Sequence, residues 1–184
     1  DAGLWATPGN WVAAGVVPGT GDTATFDAAA GASGAVIDLG AGVTISTVEF
    51  TTAATAAYTI GLGGNTLTFD TAGGAITMEA LNTNAQIFDA NLVLGVGAGA
   101  ATLTIMNNTL GQDLTVNGTI SPSGGGGLHT LAVDGPADVI LNGAIAAGAA
   151  VSTQEVTKTG TGALTLAAAN AYTAGTTITD GQLN

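Results

Sequence analysis

Apolar residues in this chain recur at every second position, in short bursts separated by glycine or small polar residues. The bursts are AVIDL (35–39), VTISTVEF (43–50), NTLTFD (65–70), AITME (75–79), NLVLGV (91–96), ATLTIMN (101–107), DLTVNGTI (113–120), TLAVDG (130–135), DVILNGAI (138–145) and ALTLAA (163–168). A period of two places alternate side chains on opposite faces, so each burst predicts a half-buried strand. Thr, Val and Ile favour that state, and Gly, Asn-Gly or Asp-Gly punctuates it. Apolar stripes at helical spacing are missing, and glycine interrupts almost every window of ten residues. The pattern predicts an all-β chain.

The bursts resemble one another. NTLTFD-TAGG-AITME, ATLTIMN-NTLGQ-DLTVNGTI, HTLAVDG-PA-DVILNGAI and QEVTKTG-TG-ALTLAAAN each read as strand, short turn, strand, with Leu67, Leu103, Leu131 and Val156 in equivalent places. Two units add Asn-Gly, at Asn117-Gly118 and Asn142-Gly143. Longer breaks are expected at 95–100 and 121–127, and SPSGGGG is read as a loop protruding from a coil. Imperfect units repeated at this spacing predict a parallel β-helix, or β-solenoid, in which equivalent strands stack on the next coil. A β-sandwich is the alternative, because Asn-Gly also favours hairpins. With ~20–25 residues and ~4.8 Å per coil, residues 31–184 predict roughly seven coils. Val43, Ile45, Leu67, Phe69, Leu103, Ile105, Leu114, Val116, Leu131, Val133, Val139, Leu141, Leu164 and Leu166 are predicted to face one continuous core.

Composition narrows the function. The 184 residues suit one domain. Hydrophobic residues make up 46% but aromatics only 4%, so the core is expected to be narrow and aliphatic. Thirteen acidic residues against one Lys and no Arg leave a formal net charge of −12. Nucleic-acid binding depends on cations that neutralise phosphates, so it is excluded as a partner class, and so is docking on anionic lipid. No uninterrupted apolar run reaches the about 18 residues that a membrane span requires. Cysteine is absent, which is compatible with an oxidising exterior. The opening DAGLW is read as a mature terminus left by cleavage after small residues.

The last 29 residues carry a longer pattern. Lys158-Thr-Gly160-Thr-Gly162-Ala-Leu164-Thr-Leu166, then Asn170-Ala-Tyr172-Thr-Ala-Gly175-Thr176-Thr-Ile178, then Gly181-Gln-Leu183, resembles the autotransporter-associated β-strand repeat, with Ala168 and Ala174 in place of two of that family's glycines. LWATPGNWVAAGVVPGTGDTATFDA (4–28) looks like the leading segment of bacterial surface β-helix proteins. The resemblance implies a right-handed parallel β-helix outside a bacterial cell. Such proteins continue into a C-terminal membrane barrel that this sequence does not encode, so the expectation is a cleaved passenger, a fragment or a free secreted relative. Residues 1–30 are read as a capping and docking segment whose Trp5, Trp11 and Phe26 plug the open end of a solenoid spanning 31–184.

Candidate chemistry is sparse. Lys158 and His129 are the only basic side chains of their kinds. Lys158 is read as a surface strand residue and His129 as an ordinary loop or strand-end residue. Asp134 and Asp138, and Asp22 and Asp27, are spaced as pairs that a hydrolase would use as acid and base, but each also suits a turn-former with a solvated charge. GLGGNTLTFD lacks the second Gly and the Asp of a calcium-binding nonapeptide at the required spacing. No metal or cofactor is expected. The reading is a non-enzymatic extracellular structural or adhesive protein. Its expected partners are other copies of itself, joined head to tail through Trp5, Trp11, Phe26, Ile178, Gly181 and Leu183, with a host surface or glycan as a further partner. The alternative is a carbohydrate-binding module that uses Tyr58, Tyr172 and the two Trp residues.

Overall fold

The computed structural model describes residues 3–11, 16–27, 35–52, 56–70, 73–96, 99–148 and 152–184. The chain winds through three parallel sheets. Strands β1 (Gly3–Leu4) and β2 (Thr23–Phe26) begin two of them. Four three-sided turns follow. They are β3 (Ala35–Asp38), β4 (Val43–Ile45) and β5 (Thr47–Phe50); β6 (Tyr58–Ile60), β7 (Thr66–Phe69) and β8 (Gly73–Met78); β9 (Gln86–Phe88), β10 (Asn91–Leu94) and β11 (Ala101–Asn107); and β12 (Leu114–Val116), β13 (Ile120–Pro122) and β14 (Gly127–Asp134). In the fifth turn, β15 (Val139–Leu141) and β16 (Ser152–Lys158) flank a single bridge at Ile145. Strands β17 (Ala163–Leu166), β18 (Thr176–Ile178) and β19 (Gln182–Leu183) complete the order. Among the described residues the only helical element is one turn of 3-10 helix at Pro8–Asn10.

Every strand pairing is parallel and joins equivalent strands of successive turns. The first sheet stacks eight strands, β1-β3-β6-β9-β12-β15-β17-β19. The second stacks seven, β2-β5-β8-β11-β14-β16-β18, and the third only four, β4-β7-β10-β13. This is the parallel β-solenoid that the alternation predicts, not a sandwich. It has about five turns instead of seven. The middle turns are longer than estimated: Ile76 sits beside Ile105, 29 residues on, and Leu103 beside Leu131, 28 residues on.

The pattern misplaces one repeat by a strand. Leu103, Leu131 and Val156 do form one ladder, but Leu67 lies in the third sheet, between Val43 and Leu92. Gly74 holds the rung beneath Leu103. The ring of Phe69 fills the space there, and a Cβ on Gly74 would lie 2.6 Å from that side chain. VTISTVEF, read as one strand, bends at Ser46 into β4 and β5, which belong to different sheets. SPSGGGG does not protrude. Its ends extend β13 and β14, and Gly99 donates to the Gly126 carbonyl at 3.0 Å while Ser123 donates to that of Leu94 at 2.9 Å. Of the break at 95–100, residues 97–98 lie outside the described set, as does the boundary expected at 30/31.

The Asn-Gly pairs form corners instead of hairpins. At the corner between the first and third sheets, Asn142 Nδ2 donates to Asn117 Oδ1 at 2.8 Å, and Asn117 Nδ2 donates to Asp89 Oδ1 at 2.7 Å. Each amide thus bonds the turn stacked on it. A Cβ on Gly143 would sit 1.9 Å from the Gly118 carbonyl oxygen, so only glycine lets the two corners approach this closely.

The core is continuous along the tube. Twelve of the fourteen predicted core residues are buried, and Val43 and Leu166 are half-buried against the rest. Phe50, Ile76, Met78 and Leu92 join them from bursts already read as strands, and Ile60 and Phe88 from strands the alternation did not mark. Leu141 is 1% exposed, between Val116 and Leu166. Leu141→Asp places an unpaired carboxylate there, and a loss of more than about 3 kcal/mol is expected. Denaturant unfolding checks this: a variant within about 1 kcal/mol of the wild type would contradict the inward placement of Leu141.

Candidate functional site

Polar side chains inside the tube concentrate where the second sheet turns into the first. The corner exposes backbone groups to the interior, away from water, and buried groups of this kind require partners. At the first such corner described, Asn82 donates to the Thr51 carbonyl at 3.1 Å, and Gln86 accepts from the Tyr58 amide at 2.8 Å. One turn later, Asn107 donates to the carbonyls of Gln112 and Asp138, at 2.9 and 2.8 Å. Thr109 Oγ1 reaches the Glu79 carbonyl at 2.7 Å. Asn82, Gln86, Asn107 and Thr109 are each at most 2% exposed. None was singled out from the sequence. The signal was a polar residue on the apolar phase of a strand, as in Asn107 at the end of ATLTIMN.

Lys158 occupies the corresponding place near the other end. It is 1% exposed, contrary to its reading as a surface residue. Its ladder partners are Val133 and Ile178, so it continues an aliphatic column that runs Ala24, Val48, Ile76, Ile105, Val133. Its ammonium donates to the Gly160 carbonyl. Loss of solvent pushes its pKa below the usual 10.5, against the upward pull of Asp134, Asp180 and Asp138. Glycines frame the group closely. A Cβ on Gly160 would lie 2.1 Å from the Gly135 carbonyl oxygen, and one on Gly181 would lie 2.4 Å from those of Gly160 and Gly162 and 2.8 Å from Lys158 Nζ.

His129 is also internal. It lies within β14, fully buried, with Nε2 3.3 Å from Ser123 Oγ. The aspartates behave as turn-formers. Asp134 accepts from the Gly135 amide at 2.7 Å, Asp138 from Ala163 in the next turn at 2.8 Å, and Asp22 from Gly19 at 2.9 Å. Asp27 is exposed. No group of three or more His, Cys, Asp or Glu side chains converges on a metal-sized site among the described residues.

Five of the eight aromatic residues gather at one end. Trp5 and Trp11 meet edge to face with centroids 4.8 Å apart, and Phe26 stacks on Phe50 at 5.1 Å and packs against Tyr58 at 4.9 Å. Trp5 Nε1 donates to the Pro18 carbonyl at 2.9 Å, and Trp11 Nε1 to that of Trp5 at 2.7 Å. Trp5, Phe26 and Tyr58 are buried and Trp11 is half-buried, so this cluster fills the tube instead of lining an exposed sugar-binding row. At the far end, Thr176 and Ile178 take the ladder positions of Val156 and Lys158, yet both are exposed. Leu183 is half-buried beside Leu164, and Gly181 turns the chain between them with φ +77°.

Residues 156–184 match the model of the passenger-associated-transport-repeat family. No curated protein and no solved structure matches the chain. The match begins in β16 and takes in the buried lysine, the stacked glycines and the last strands, and the β-solenoid fold is consistent with autotransporter passenger repeats. Within the matched segment Lys158 binds a corner carbonyl, Gly160 and Gly162 let the corner lie against the turn before it, and Leu164 and Leu166 re-enter the core.

Two outcomes follow for Lys158. Lys158→Met deprives the Gly160 carbonyl of its donor, at a cost of about 1–3 kcal/mol, but also removes a desolvated charge. Because the folded pKa lies below the unfolded one, the folded chain binds fewer protons as pH rises towards 10.5, and wild-type stability increases over that window. The wild type is therefore expected to gain on Lys158→Met as pH rises towards 10.5, read by urea midpoints; a pH-independent difference would refute the buried-cation assignment. The second outcome concerns proteolysis. Lys158 is the chain's only Lys or Arg, and the adjoining backbone is bonded to both neighbouring turns, Thr159 to Val133 at 3.0 Å and Thr179 to Lys158 at 2.8 Å. Native protein is expected to resist trypsin and to be cut only as fast as it opens. Prompt cleavage after Lys158 under native conditions would show that this turn is frayed.

Proposed function

We propose that the protein is a non-enzymatic structural passenger, displayed or released outside the cell as a rigid rod. The transport repeat on a β-solenoid supports the passenger-like character, and that family suggests a secreted or surface destination. The observation that carries the non-enzymatic part is the placement of Lys158 and His129. The chain's sole Lys and sole His are both buried and serve the interior, so neither is presented to a substrate. The outward positions hold mostly Thr, Ala, Asn and acidic residues, which suit a solvated wall.

Within this reading the rod associates end to end. Thr176 and Ile178 lie in the inward ladder register of Val156 and Lys158 and are exposed, so a strand of a second copy can take the next rung on them. Unpaired strand edges invite another strand. Trp5 and Phe26 are buried in their own core, so their rings are not the contact surface. Joining unlike ends is heterologous and propagates into a filament unless the rotation closes. The −12 charge opposes sideways clumping.

Sedimentation velocity across a concentration series, with negative-stain microscopy, tests this. The wild type is expected to form linear species and Ile178→Glu to shift them to monomer. A wild type that stays monomeric throughout removes the assembly claim. A reducing-sugar assay that shows turnover of polysaccharide removes the non-enzymatic one.

A further inference from the structure

One internal column of the second sheet is polar. Ala101, His129 and Gln154 are stacked ladder partners on successive turns, all facing inward. His129 and Gln154 are 0% exposed. Even so, His129 Nδ1 and both amide atoms of Gln154, Nε2 and Oε1, are buried without a hydrogen-bond partner. Buried polar atoms in folded proteins are almost always partnered, by protein or by ordered water. Three orphans on two adjacent rungs therefore mark a place where something binds.

The surroundings define its chemistry. Ser123 Oγ takes the other imidazole nitrogen at 3.3 Å. Ser152 Oγ is committed to the carbonyls of Ser123, at 3.4 Å, and Gly125. The neighbouring acidic side chain, Glu155, is half-buried on the outward phase and accepts from Thr130 at 2.8 Å, so it does not reach this column. With one imidazole, one amide and no carboxylate, the set has neither the charge nor the donors that hold a metal ion. It asks for a small neutral molecule that both donates and accepts.

We propose that bound water occupies this column, with at least one molecule bridging His129 Nδ1 to the Gln154 amide. Water donates two bonds and accepts two, so it completes Nδ1 in either tautomer and joins it to Oε1 or Nε2. The site offers one molecule two to three polar partners, the number that internal waters use. Small residues pack the rung below: a Cβ on Gly95 would lie 2.8 Å from that of Ala101, so no larger side chain reaches the column from that side. The water is thus a fixed part of the core in an otherwise aliphatic tube.

Solution NMR on the intact chain, with nitrogen-15 in His and Gln side chains, tests the assignment through water-selective cross-relaxation. The wild type is expected to show water contacts at the His129 ring and at the Gln154 side-chain amide, with a bound lifetime well above that of surface hydration. Gln154→Leu removes two of the three partners, and the contact at His129 is expected to vanish with it. The absence of long-lived water at both side chains in the wild type would overturn the proposal, as would a crystal structure with His129 Nδ1 bonded directly to Gln154 Oε1. The wild-type measurement decides the matter even if the variant does not fold.

Discussion

Everything in this molecule rests on one constraint: each turn must lie on the previous one in parallel register. A strand in a solenoid has no partner within its own turn, so its amides and carbonyls are satisfied only by the equivalent strand above or below. Register then determines the core. Once Leu103 pairs with Leu131 and Leu131 with Val156, their side chains stack as a column, and the same holds for Leu114, Val139 and Leu164. A slip of one residue would turn every such column outward. The corners enforce register further, because Asn117 and Asn142 bond to the turn beneath and the glycines stacked there leave no space for another alignment.

The same constraint accounts for the buried polar groups. Strand backbones find partners in the ladder, but a corner breaks the ladder and turns carbonyls inward. Different residues solve this at successive levels: an Asn with a Gln, an Asn with a Thr, and finally a lysine. The lysine is the costly solution, because an ammonium is desolvated, and its lowered pKa records that cost. It is tolerated where Asp134, Asp138 and Asp180 supply negative potential nearby.

Much of this architecture was legible from alternation alone, since period-two patterning and small inward residues admit few folds. Phase was the harder part. NTLTFD and ATLTIMN read alike, yet they occupy different sheets, because a strand's pattern records which face is buried and not which wall of the tube it joins. Leu67 was misassigned for that reason, and only the packing of Phe69 over Gly74 reveals the shift. The burial of Lys158 and His129 is legible in the strand phase, but residue type points the other way. Single-residue expectations place charged and polar side chains outside, whereas their positions in QEVTK and LHTLAV fall on the inward phase. Counting along the strand from Val156 or Leu131 would have placed both inside.

The concentration of rings at one end has a spectroscopic consequence. Both tryptophans, Trp5 and Trp11, lie in the segment that precedes the first three-sided turn, in contact with Phe26. In a stack whose turns touch only their neighbours, the two ends can lose structure separately. Indole emission therefore reports on the leading end alone. Melting of the repeat-bearing end is silent in that signal and must be followed through Tyr172 or backbone circular dichroism. An emission midpoint that differs from the dichroism midpoint would measure how far cooperativity extends along the rod.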